Sequence, residues 1–140
     1  MKPVRLAVFG APQVSRDGQD LRFDTRKAVA LLAYLAVTGR AHRRDALAAL
    51  LWPTSDQARA RSALRRTLSV AGSVGPCLVT SRDVVELDLD LLSCDAREFD
   101  ELVARGDAPS LQAAVGLASG DFLAGFSLRD SPAFDDWQAS

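Results

Sequence analysis

The sequence of 140 residues predicts an α+β fold. Three observations predict it. Short β-forming runs open the chain and are broken by an Asp-Gly pair. Three segments with apolar residues at helical spacing follow. A second pair of β-rich runs then flanks a short polar turn, before the chain changes character.

The opening run Val4–Phe9 alternates loosely and is rich in β-formers. Gln13–Ser15 can pair with it after the turn "GAP". "SRDGQD" carries the Asp-Gly hairpin signal, and "DLRF" (Asp20–Phe23) is the next short strand. A small antiparallel sheet is therefore expected first.

Asp24 or Thr25 can cap the helix that follows, because either side chain can accept a first-turn backbone N–H. "RKAVALLAYLAVTG" sets Ala28, Leu31, Leu32 and Leu35 on one stripe, with Val29 and Ala36 beside it, and Gly39 ends it. Arg26 and Lys27 are expected to face solvent, since cations sit poorly at a helix N-terminus. "RRDALAALLW" is a second helix, with Ala46, Leu47, Leu50 and Leu51 inward and Pro53 as its stop.

Ser55 or Asp56 caps a third helix, "ARARSALRRTLSVAG". Ala60, Leu64, Leu68 and Ala71 fall on one stripe. Arg59, Ser62, Arg66 and Ser69 lie opposite, Arg65 flanks them, and Arg61 sits near the boundary. No acid follows Asp56 on this helix, so it forgoes the mixed-sign i,i+4 pairs of a merely solvated face. "CLVTS" and "VVELDLD" then form a hairpin around Ser81-Arg82-Asp83. Three helices closed by a hairpin make a winged helix-turn-helix, and the leading sheet marks one subtype.

Beyond the hairpin, "CDAREFDELVARG" reads as an amphipathic helix with Phe99, Leu102 and Val103 apolar. Ser110–Gly120 reads as another. Such paired helices need neighbours to bury their faces. Phe122, Phe126, Phe134 and Trp137 are expected to pack this second module, and Asp130, Asp135 and Asp136 to form a solvated face. The chain enters a further helix near Trp137, and more sequence is expected to follow. The expected division is residues 1–91 for the winged helix and 92–140 for the helical segment.

Charge follows the same division. Residues 1–75 hold 13 Lys and Arg against 5 Asp and Glu, a net of +8, whereas residues 76–140 hold 4 against 13, a net of −9. A basic half joined to an acidic half is the footprint of nucleic-acid binding fused to another role.

Other functions find little material. His42 is the only histidine, which leaves almost nothing for a Ser-His-Asp hydrolase or a His-based metal site. There is no Gly-rich phosphate loop, and neither an enzyme nor a cofactor is expected. Cys77 and Cys94 lack metal-ligand spacing and read as reduced thiols of a cytoplasmic protein. No apolar run reaches the length of a membrane span, and "MKPVRLAVFG" is too short and strand-like for a signal peptide. Trp52, Tyr34, Phe23 and Phe9 read as core.

The segments "TRKAVALLAYLAV", "LAALLWPTSDQARARSALRRTLS" and "LVTSRDVVELD" resemble the N-terminal domain of the Streptomyces antibiotic regulatory proteins. They also resemble related regulators that join an OmpR-type winged helix to a bacterial transcriptional activator domain. "CDAREFDELV" and "GDFLAGFSLRDSPAFDDW" look like the start of that activator domain, a helical repeat similar to tetratricopeptide arrays.

The resemblance implies binding of double-stranded DNA at tandem promoter repeats and recruitment of RNA polymerase. It implies a third helix in the major groove and a hairpin wing in the adjacent minor groove. The matching residues are Arg59, Arg61, Ser62, Arg65, Arg66 and Ser69 on the helix and Arg82 on the wing. Arg43 and Arg44 are further candidates for anchoring phosphate at the start of the second helix. Base readers and phosphate anchors share this list. The acidic segment is expected to serve dimerisation, signal relay or polymerase contact.

Two features depart from the family. Val70-Ala71-Gly72-Ser73-Val74 stands where the third helix usually continues with basic residues, and a glycine inside a helix costs about 1 kcal/mol. Ala41-His42-Arg43-Arg44 stands where the second helix usually has a capping Ser or Thr. These departures support an alternative: a protein-interaction module on a winged-helix scaffold with weakened DNA binding, its uncharged Val70–Val74 stretch in a protein interface.

Overall fold

A computed structural model describes residues 2–128 and 130–140. The chain opens with β1 (Val4–Ala7), β2 (Gln13–Arg16) and β3 (Gln19–Leu21). β1 pairs antiparallel with β2, and β2 with β3. Asp17 and Gly18 link the last two at φ 52° and 82°, the left-handed pair that a two-residue type I′ turn requires.

The sheet has a fourth member that periodicity did not foretell. β7 (Leu92–Cys94) returns to pair parallel with β1, giving the order β3-β2-β1-β7. The expected antiparallel sheet is therefore mixed. Val4 faces Leu92 and Leu6 faces Cys94 in register, and all four are buried.

α1 (Arg26–Thr38) is capped by Thr25, whose Oγ1 accepts the Lys27 N–H. It ends at Gly39, which has φ 68° and donates its N–H to the Leu35 carbonyl. Leu31, Leu32 and Leu35 are buried, along with four alanines of the helix. Each such leucine contributes about 1.5–3 kcal/mol by leaving water.

β4 (His42–Arg43) leads directly into α2 (Arg44–Leu51). Leu47 and Leu51 are buried as expected, but Ala46 is exposed and Ala48 takes the inward position. α3 (Gln57–Ala71) starts at Asp56, whose Oδ1 accepts the Arg59 N–H at 2.8 Å. Ala60, Leu64, Leu68 and Ala71 are buried, as their spacing predicts.

Gly72 does not lie inside α3. The helix stops at Ala71, and Gly72–Cys77 forms a 3-10 segment interrupted at Gly75, where φ is 84°. The glycine cost anticipated for a longer helix does not arise. Val74 and Cys77 in this segment are buried in the molecule's own core.

β5 (Leu78–Thr80) and β6 (Val84–Leu87) form an antiparallel hairpin, and β4 pairs with the other side of β6. α4 (Asp95–Arg105) and α5 (Ala108–Leu117) lie against each other, and α6 (Pro132–Ala139) closes the described chain. Val103, expected on the apolar side of its helix, is exposed, as are Leu111 and Val115.

One core spans both sides of residue 91. It holds Val4 and Leu6, the inner faces of α1–α3, Val85 and Leu92, and also Leu123, Phe126, Leu128 and Phe134. The late aromatics pack outside their own segment: the Trp137 ring meets Tyr34 of α1 edge-on at 4.9 Å between centroids. Asp136 is exposed as expected, but the other two acids of this stretch are engaged. Asp135 Oδ1 accepts the Leu128 N–H at 3.0 Å, and Asp130 pairs with Lys27 at 2.7 Å.

Lys27 is thus not solvent-facing. Its side chain is 14% exposed, lies 4.9 Å from the Trp52 ring centre, and donates to the Leu51 carbonyl at the end of α2. Arg26 rests over the Phe126 ring at 5.3 Å. The cations at this N-terminus are neutralised or stacked, which offsets their unfavourable placement against the helix dipole.

Candidate nucleic-acid interface

The interface is built where α2, α3 and the β5–β6 turn converge. Arg43 is the last residue before α2; its side chain makes no capping bond. Its extended backbone instead pairs with Val84 on β6. This pairing sets the start of α2 beside the hairpin turn. The Arg44 N–H donates to the Asp83 carbonyl at 2.9 Å, and Arg44 Nε donates to the Ser81 carbonyl at 2.8 Å.

His42 anchors the same corner from beneath. Its ring is buried, tilted against Tyr34 at 4.8 Å, with Nε2 2.7 Å from Thr38 Oγ1. Burial, with a smaller contribution from the Arg40 charge, lowers its pKa below the ordinary histidine value. The sole histidine is a packing residue of the α1–β4 junction.

A cleft of about 380 Å³ opens above this corner, lined by Arg43, Arg44, Asp45, Arg61, Leu64, Arg65, Arg82 and Asp83. Five of the nine arginines and serines expected at the site meet there. The other four, Arg59, Ser62, Arg66 and Ser69, are exposed on α3 outside the cleft lining. The apolar stripe of α3 faces inward and so fixes the arginine side outward.

Three acids enter this surface: Asp83 lines the cleft, and Asp45 and Asp56 pair with arginines of α3. Asp56, the cap of α3, lies 3.6 Å from the Arg59 guanidinium. Asp45, in the first turn of α2, accepts Arg61 Nε at 3.0 Å, and that bond holds the Asp45 carboxyl below the usual carboxylate range. The sequence has no acid on α3 after Asp56, and spacing along one helix cannot register an acid delivered from its neighbour. Among the described residues, Arg43, Arg65, Arg66 and Arg82 have no carboxylate within ion-pair distance.

Asp45 and the Ser81 carbonyl are the groups at this surface that sequence reasoning missed. Asp45 carried a faint signal, as an acid at the start of one helix of a pair whose other member is arginine-rich. Among the described residues, the acidic C-terminal half forms no ion pair with the α3 arginines. Its ion pairs among the described residues go to Arg5, through Glu98 at 2.6 Å, and to Lys27.

No helix of the described chain is long and apolar enough to cross a membrane. No family model matches the chain, and no curated protein matches it in sequence. In three dimensions it is similar to the solved structure of Mycobacterium tuberculosis EmbR in complex with a low affinity phosphopeptide. The TM-score is 0.74 at 23% sequence identity, over 99% of this chain and 41% of that chain. The chain thus spans less than half the length of EmbR, and over that span the two share one fold.

Proposed function

We propose that the chain is the DNA-binding part of a transcriptional regulator of the antibiotic-regulatory type. One observation carries the reading: Arg43, Arg44, Arg61, Arg65 and Arg82, from three separate elements, line a single open cleft against two acids. A positive surface assembled from a helix start, a helix face and a hairpin turn matches the three-point grip of a winged helix on a duplex. α3 enters the major groove, and Arg82 at the hairpin turn reaches the minor groove as the wing. Arginine suits both places, because its planar fork pairs with guanine edges and with phosphate.

In this reading residues 1–91 carry DNA binding, and residues 92–140 begin a helical activator segment similar to tetratricopeptide arrays. The protein acts in the cytoplasm as an activator at promoter repeats. Its helical segment mediates dimerisation or contact with RNA polymerase. The likeness in fold to EmbR and the family resemblance of the sequence support a regulator. The alternative, a protein-interaction module using Val70–Val74, is weakened by the burial of Val74 within the core.

Binding to genomic DNA fragments, read by sequencing, tests the proposal. The wild-type chain is expected to enrich a defined set of fragments. The R65A/R66A double variant should lose that enrichment, weakening binding by about 1–3 kcal/mol for each residue that reads a base. Equal recovery of all fragments by both proteins, or of none, would overturn it.

A further inference from the structure

Five guanidiniums share the cleft, but they are not held alike. Arg44 is spent on the hairpin turn. Arg61 is braced through Nε by a carboxylate of another helix. Arg65 has no carboxylate partner among the described residues. An arginine gripped at Nε loses torsional freedom and presents its two terminal nitrogens end-on. That pair of parallel donors matches the O6 and N7 acceptors of a guanine. An unbraced arginine is a mobile charge, better suited to phosphate.

Asp45 is otherwise a liability. It places a negative charge inside a surface that should attract a polyanion. The pair also does little for folding, since both side chains are about half exposed, at 53% and 52%. A group that weakens general attraction while fixing one reader favours discrimination over affinity.

We propose that Asp45 is a specificity-determining positioning residue, which braces Arg61 so that Arg61 reads a base edge in the major groove. This deepens the DNA-binding reading and rests on it.

The test selects binders from a pool of duplexes with a randomised core, using the wild-type chain, D45A, D45N and R61A. Affinity for one arbitrary duplex is measured alongside. D45A and R61A are expected to flatten base preference at the same position. The ratio of specific to arbitrary affinity should fall about tenfold. D45A should at the same time bind the arbitrary duplex more tightly, having lost a repelling charge. D45N keeps an acceptor oxygen and should recover much of the preference. Thermal melts identify any variant that fails to fold; if D45A does, D45L, which removes the acceptor oxygen and keeps the side-chain bulk, carries the comparison with R61A. If D45A tightens binding to every duplex alike and leaves base preference unchanged, the brace has no role and the proposal is overturned. A wild-type chain that binds no duplex sinks the DNA-binding reading itself, which distinguishes the two failures.

Discussion

Arg44 Nε lies 2.8 Å from the carbonyl oxygen of Ser81, so the first residue of α2 holds the turn of the neighbouring hairpin. A cation at the cleft therefore also shapes it. R44K keeps the charge but removes the Nε donor. Loss of one such bond is worth about 1 kcal/mol, so binding to a target duplex should weaken about fivefold with its salt dependence unchanged. Fluorescence anisotropy at several salt concentrations checks both. Unchanged affinity with R44K, at the same salt slope, would mean that Arg44 serves only to neutralise phosphate.

His42 makes folding stability depend on pH in a defined direction. Its native pKa lies below the unfolded value of about 6.5 because burial disfavours the imidazolium, with Arg40 adding to this. The unfolded chain then binds the proton first as pH falls. Stability is full above about pH 6.5 and declines as pH drops from there through the lowered native value. Urea unfolding at stepped pH should show this decline in the wild type and not in H42Q. The single imidazole resonance offers an independent titration. A native pKa above that of the unfolded chain would contradict the packing described for the ring.

Phe134 is fully buried, beside Phe126 and Trp137, in a core shared with α1 and α2. F134A should cost about 3–5 kcal/mol, a large part of the stability of an ordinary domain. Because the core is shared, calorimetry should show residues 1–91 and 92–140 melting in one transition at a lowered temperature. Two separated transitions, with the first half unmoved, would show that the α6 segment is not part of the same cooperative unit.

The elements that were legible in the sequence are those specified locally. The Asp17-Gly18 turn, the caps Thr25 and Asp56, the stop at Gly39 and the inward stripes of α1 and α3 each follow from residues a few positions apart. What escaped depends on distant partners. β7 pairs with β1 across almost ninety residues of chain, and three residues carry no periodic signal. Asp95 reads as one more acid of an amphipathic helix, yet it is buried, with its carboxylate accepting the Val8 and Phe9 N–H groups at 2.8 and 3.1 Å. Lys27 found Asp130 and the end of α2 by the same long-range route. In the candidate site, the outward face of α3 was visible from spacing alone. Its convergence with Arg43, Arg44 and Arg82 was not, since the two-residue strand β4 brings them together.

The salt dependence of duplex binding tests the central claim most directly. An interface that neutralises four or five phosphates should release as many counterions, so log K should fall against log salt with a slope of roughly −4. Substituting alanine for Arg65 and Arg66 together should make that slope shallower by about 1 for each phosphate no longer neutralised. A flat response, or no binding to any duplex at low salt, would contradict the account.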